Sequence, residues 1–268
     1  MYRREGHVIY QSHDDDGVLE VVENKGVRSL HFGSDSRQSS MLLADPDKLE
    51  LGYVRAMTSW LLFKSAWREA LVIGLGGGSL VKFLLHQFPD GHLRVVEYRE
   101  SVVKIARSHF GLPLDPRLKI LVGDGNAYVR QRIRTRQEQY CVLLVDAFDH
   151  DGMAESIANE AFFEGCQLLL NADGMLVINL WGGTQNPLFQ QIALWMGRVF
   201  DWRVLFLPVR NRGNIVALAF NQSLPVVLWN ELKTRAVRLE ERYQIEFNVF
   251  LHDFCRHNGN TIKQIISR

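Results

Sequence analysis

Residues 71–79 read LVIGLGGGS. An apolar run breaks into a glycine-rich turn, with Gly74, Gly76, Gly77 and Gly78 ahead of Ser79. After the first strand of an α/β unit, such a turn lets a ligand lie against bare backbone at a helix N-terminus. A tight strand-to-helix turn with no ligand can use the same residues, so the neighbouring segments have to decide.

Downstream, LRVVE (93–97), LKILV (118–122), YCVLLV (140–145) and MLVINL (175–180) are apolar almost throughout. Strands covered on both faces of a sheet look like this. Helical patterns fall between them at 79–88, 100–109, 125–134 and 159–170. The alternation predicts βαβ units and a mostly parallel sheet. WRVLFLPV (202–209) and NIVALAF (214–220) are separated only by Arg210 to Gly213, too short a gap for a crossover helix. That pair is therefore expected to be antiparallel. An α/β sheet ending in an antiparallel hairpin predicts a Rossmann-like fold of the S-adenosylmethionine-dependent methyltransferase type. Upstream, VLEVVE (18–23) and VRSLHF (27–32) flank Asn24, Lys25 and Gly26, which predicts a hairpin within a small N-terminal β appendage over 1–47. The catalytic domain is expected over 48–268. It opens with a helix from about Lys48 to Phe63, whose apolar face is Leu49, Tyr53, Met57, Trp60 and Leu61. From about Val226 the tail reads as helical.

The chain has 268 residues, 47% hydrophobic and 23% charged, with a formal net charge of +1. That length suits one large domain, or one domain with an appendage. The charge balance argues against recruitment of nucleic acid or of an anionic membrane surface. No 18-residue apolar run is present and the N-terminus is polar, so neither a membrane span nor a signal peptide is expected. Cys141, Cys166 and Cys255 lack metal-ligand spacing and leave an odd thiol under any pairing. Reduced cysteines in a cytoplasmic protein is the plain expectation. A homodimer stays open as an assembly.

Acids stand at successive strand ends. Glu97 closes the second strand of the α/β region, where a carboxylate typically accepts both hydroxyls of a ribose. Asp124, with Gly125, follows the third and can accept from an adenine amino group, or simply cap the next helix. Together they point to an adenosine, since ligands of such sheets bind beyond the carboxyl ends of the strands. A dinucleotide is not indicated, because the turn departs from G-x-G-x-x-G at Ser79. After the fourth strand VDAFDHDG (145–152) carries Asp146, Asp149 and Asp151. Three acids so close suit a general base for an amine or a cradle for a cationic substrate, or else form a solvated loop. Like-charge repulsion from Asp149 and Asp151 would raise the pKa of Asp146. No metal is expected, because no fixed ligand spacing accompanies the cluster.

GLGGGSL, VVEYRESVVKIAR, DPRLKILVGDGNAYV, Asp146 to Asp149 and NEAFFEGCQLLLNADGMLVINL resemble the spermidine synthase family in order and spacing, over roughly residues 38–220. The resemblance implies aminopropyl transfer from decarboxylated S-adenosylmethionine to an amine. It implies that the glycine loop and Glu97 hold the ribose side, Asp124 faces adenine, Asp146 is the general base, Asp149 binds the amine acceptor and Gln38 contacts the nucleoside. Two departures stand out. The family's GGGDG acid is replaced by Ser79. Its Tyr-His-Glu motif is reduced to Tyr53-Val54-Arg55, where Arg55 is expected to repel a cation. The loop is also similar to that of the elongation-factor lysine and N-terminal methyltransferase family. Ser79 suits intact S-adenosylmethionine, whose carboxylate an Asp would repel. Methyl transfer to a small-molecule or protein amine is thus the alternative. Nucleoside binding without catalysis is a second.

Overall fold

The computed structural model describes residues 6–135, 139–147, 154–182 and 186–267. Four antiparallel strands open it, in the order β1 (His7–Asp14), β2 (Gly17–Asn24), β3 (Val27–His31) and β4 (Arg37–Leu42). The expected hairpin is β2–β3. Lys25 and Gly26 both take positive φ, 48° and 78°, as a tight two-residue turn between paired Asn24 and Val27 demands. The appendage is thus larger than that hairpin. HVIYQSHD in β1 is largely exposed and RQSSML in β4 is rich in serine, so neither shows a clean apolar alternation.

The helix expected over 48–63 is instead α1 (Gly52–Ala56) followed by a 3₁₀ turn, Ser59–Leu62. Thr58 explains the break. Its hydroxyl and its N–H both donate to the Arg55 carbonyl, at 2.6 and 2.9 Å, which closes the helix early.

The main sheet then builds by alternation: β5 (Glu69–Ile73), α2 (Ser79–Gln87), β6 (His92–Glu97), α3 (Glu100–His109), β7 (Leu118–Val122), α4 (Gly125–Thr135), β8 (Tyr140–Val145), α5 (Glu160–Leu169) and β9 (Leu170–Trp181). After α6 (Pro187–Val199) come β10 (Val204–Pro208) and β11 (Asn214–Phe220). The spatial order is β10-β11-β9-β8-β5-β6-β7. β5 to β9 are parallel, and β11 runs antiparallel to both β9 and β10. This is the predicted Rossmann-like, methyltransferase-type sheet. Successive links lead away from β5 in opposite directions, so the crevice opens at the carboxyl ends of β5 and β8.

Residues alternate across the sheet. Val72, Val95, Leu144, Val177, Val216 and Leu218 face one buried layer with α2, the 3₁₀ turn and the tail helices. Leu71, Ile73, Leu143, Val145, Ile178 and Ala217 face the other, with α4, α5 and α6. The tail forms α7 (Trp229–Tyr243), α8 (Phe247–His257) and α9 (Gly259–Ile265). Leu232, Phe247, Phe250, Leu251 and Phe254 are buried in the first layer, each contributing about 1.5–3 kcal/mol. A third cluster joins the appendage to the main domain, with Leu19, Val21, Leu30 and Met41 against Val102, Ile105 and Phe110. Among the described residues, no helix is long and apolar enough to cross a membrane.

Candidate active site

Five parallel strands and β11 bring their polar ends to one cleft of about 980 Å³. Gly74, Gly76, Ser79, Glu97, Asp124, Gly125, Asp146 and Gln38 all line it. Gly77 and Gly78 belong to the same turn but do not face the cleft.

The glycines answer first to the protein itself. Gly74 has φ +92°, and a Cβ there would lie 2.1 Å from the Asp146 carbonyl oxygen. The turn therefore passes directly against the end of β8. A Cβ at Gly77 would meet Ser39 Oγ at 2.7 Å and the Phe110 ring at 2.8 Å. That glycine lets the turn sit on β4 and on the C-terminal end of α3. Ser79 opens α2, and its hydroxyl donates to the Ser40 carbonyl at 3.2 Å, which ties the turn to β4.

Glu97 is 7% exposed. Its two carboxylate oxygens accept from the Leu75 N–H at 2.8 Å and the Arg99 N–H at 2.9 Å. Burial pushes its pKa above the ordinary value, against the pull of the N–H groups of Arg99, Leu75 and Gly76. The carboxylate thus braces the glycine turn while lone pairs remain for hydroxyl groups on the cleft side. Asp124 accepts from the Ala127 N–H at 2.7 Å and so caps α4. It lines the cleft as well, so capping and ligand contact are compatible.

Asp146 follows β8, deep in the protein yet with part of its surface open to the cleft. Asn179 Nδ2 donates to its Oδ1 at 2.9 Å, and Asn214 Nδ2 donates to Asn179 Oδ1 at 3.0 Å. The Tyr53 hydroxyl donates to the Gln38 carbonyl at 3.2 Å and also lies against the Asp146 carboxylate. Burial raises the Asp146 pKa to about 6, although both Asn179 and Tyr53 favour the charged form. The sequence attributes this rise to Asp149 and Asp151; those two acids lie outside the described residues, and here the cause is burial. Burial and the neighbouring Asp146 hold the Tyr53 phenol well above its ordinary pKa, so it stays a neutral donor.

Arg55 departs from expectation. Its guanidinium Nε donates to Glu246 at 2.9 and 3.1 Å, and Nη1 donates to the Glu50 carbonyl at 2.6 Å. It is turned toward the tail and does not line the cleft, so it does not repel a cation there. Asn179 and Asn214 escape the sequence reading. Each is a buried amide inside or at the edge of an apolar strand. A lone polar residue in such a run is the signal that marks them. Among the described residues, no group of three or more His, Cys, Asp or Glu is placed to hold a metal.

The model of the spermine/spermidine synthase domain matches residues 50–193. A polyamine aminopropyltransferase of Chromobacterium violaceum is 35% identical over 249 residues, covering 92% of this chain and 93% of that one. A eukaryotic relative, the eEF1A lysine and N-terminal methyltransferase of Xenopus laevis, is 30% identical over 54% of this chain but only 23% of its own length. Among solved structures, spermidine synthase in complex with the transition-state analogue AdoDATO superposes with a TM-score of 0.70 at 19% identity. The superposition covers 96% of this chain and 88% of that one. Sheet order, glycine turn and the row of strand-end acids agree with a match that runs from α1 into α6, and the chain belongs to the spermine/spermidine synthase family.

Proposed function

We propose that this enzyme transfers an aminopropyl group from decarboxylated S-adenosylmethionine to a small amine by direct displacement. The observation that carries the reading is Asp146, a cleft carboxylate held by Asn179 and Tyr53 with its pKa raised to about 6. In a family whose curated relatives are named as aminopropyltransferases, a base at this place has a definite task. An aliphatic ammonium must lose a proton before it attacks. Asp146 takes that proton, the amine nitrogen bonds to the methylene beside the sulfonium, and the carbon–sulfur bond breaks. Its electron pair leaves on sulfur, as the neutral methylthio-adenosyl thioether. Placement does much of the remaining work. Glu97 and Asp124 serve the ribose and adenine sides, the backbone at Gly74 and Gly76 admits the donor, and Gln38 lines the cleft beside Gly76. Asp149 is assigned to the acceptor amine by family resemblance.

Asp146→Asn keeps the shape and the Asn179 bond while removing the base. Single-turnover transfer should fall roughly 10²- to 10⁴-fold with donor affinity retained. Full turnover in the variant would leave Asp146 a structural residue. Loss of donor binding along with turnover would place it in the nucleoside site instead.

One observation favours a second reading. Ser79 occupies the place of the family's acid beside the donor's amine, at the first turn of α2. A hydroxyl at a helix N-terminus tolerates a donor that keeps its carboxylate. Methyl transfer from intact S-adenosylmethionine is that reading. Calorimetry with the two donors side by side separates them: tighter binding of the decarboxylated form supports aminopropyl transfer, and the reverse supports methyl transfer.

A further inference from the structure

Asp14 ends β1 and does not line the cleft, yet the next two residues, Asp15 and Asp16, do. The Asp14 carboxylate accepts from the Arg99 guanidinium at 2.5 and 3.1 Å, from the Ser101 hydroxyl, and from the Asp16 N–H at 3.1 Å. Arg99 also donates to the Gly17 carbonyl at 3.0 Å. Asp14 and Gly17 flank the β1–β2 turn, so one side chain of the main domain grips that turn of the appendage at both ends.

Arg99 reaches the floor of the cleft as well, through its backbone. Its N–H donates to Glu97 Oε1 at 2.9 Å, while the Leu75 N–H donates to Oε2 at 2.8 Å. These two bonds set the plane of the Glu97 carboxylate, and with it the direction of the lone pairs left for hydroxyl groups. The Arg99 side chain is only 8% exposed. A charge so placed has little water to replace a lost partner. Without Asp14 the guanidinium must turn toward solvent, and the N–H that aims Glu97 lies on the same residue.

We propose that Arg99 is a positioning residue for the donor: it couples the β1–β2 turn to the aim of the Glu97 carboxylate, so that Asp14 and Ser101 tune nucleoside affinity without touching the nucleoside. This rests on the reading of Glu97 as the acid on the ribose side. Coupling of this kind is reciprocal. A bound nucleoside therefore steadies the turn by the same factor as the turn favours the nucleoside, and Asp15 and Asp16 are held at the cleft when the donor is in place.

Calorimetry with methylthioadenosine, which carries the nucleoside without the transferable tail, tests the coupling. The parent is compared with Asp14→Asn, Ser101→Ala, Glu97→Ala and the Asp14→Asn/Glu97→Ala double variant, each shown to be folded by circular dichroism at the temperature used. Asp14→Asn should weaken binding roughly three- to thirtyfold, and Ser101→Ala should weaken it by less. In the Glu97→Ala background Asp14→Asn should cost nothing further, because the route runs through that carboxylate. A joint that is merely structural would lower the melting temperature of Asp14→Asn and leave nucleoside affinity intact; that result overturns the coupling, as does an equal loss with and without Glu97. If Asp14→Asn does not fold, Ser101→Ala carries the same comparison alone and in the Glu97→Ala background. If Glu97→Ala binds as tightly as the parent, the ribose reading fails and the coupling fails with it.

Discussion

The base proposed at Asp146 comes at a cost to stability. Its pKa is raised by burial from 3.8 to about 6, so the folded chain binds its proton more tightly than the unfolded chain does. The stability it contributes is full below about pH 4 and is lost as pH rises through about 6. Asp146→Asn should therefore be more stable than the parent at pH 7–8, by about 1–3 kcal/mol. That gain should vanish below about pH 4; chemical denaturation at the two pH values tests it. Turnover in the parent should fall below about pH 6, as the base becomes protonated. Ser79 gives a second prediction at this scale. Ser79→Asp should weaken intact S-adenosylmethionine and strengthen the decarboxylated donor, since the new carboxylate repels one tail and attracts the other's amine. Donor affinities that move together would show that Ser79 does not face the donor's tail. The sequence shows the acids because each stands at the end of an apolar run. It hides the reason for the Asp146 pKa: burial and the Asn179 and Tyr53 bonds come from β9 and α1, distant in sequence, and exist only once the sheet is assembled.

The turn after β5 is constrained by the element it touches. Gly74→Ala places a Cβ 2.1 Å from the Asp146 carbonyl oxygen at a φ of +92°. Neither backbone can yield without moving the other, so about 2–4 kcal/mol of stability should be lost. Transfer should drop with it, because the shift displaces the base. Denaturant titration and single-turnover kinetics on the same preparation check both effects. Unaltered kinetics would mean that the turn and the end of β8 move independently. The central strands were legible because burial on both faces makes them continuously apolar, whereas β7 is an apolar edge strand that stays largely exposed. Other elements were hidden by competing effects. Thr58 ends a helix that the spacing of Leu49, Tyr53, Met57 and Trp60 predicts to continue. β1 buries too little surface to show alternation. α6 has its start signals in Asn186, which accepts from the Leu188 N–H, and in Pro187, although they are not read from the sequence alone.

Across the whole molecule, the appendage is locked to the main domain by Arg99. Its guanidinium donates to Asp14 at 2.5 and 3.1 Å and to the Gly17 carbonyl at 3.0 Å, and it stands 5.0 Å from the Phe32 ring centre. Burial alone raises the Asp14 carboxyl, but the hydrogen bonds from Arg99 and Ser101 outweigh it and hold the pKa below its ordinary value. The joint is therefore strong at neutral pH and weakens as pH falls below the usual carboxylate range. Asp14→Ala leaves the nearly buried Arg99 charge without its partner and should cost about 2–4 kcal/mol, less than a fully buried pair because Asp14 keeps some exposure. Thermal melts at pH 7 and pH 3 should differ less in the variant than in the parent. The amide chain from Asn214 through Asn179 to Asp146 has a consequence in time. During synthesis the glycine turn, Glu97, Asp124 and Asp146 leave the ribosome first, and the amide that steadies Asn179 arrives only with β11, which must slip between β9 and β10. A nascent chain halted before Asn214 would hold the wall proposed for the donor but lack a fully braced Asp146.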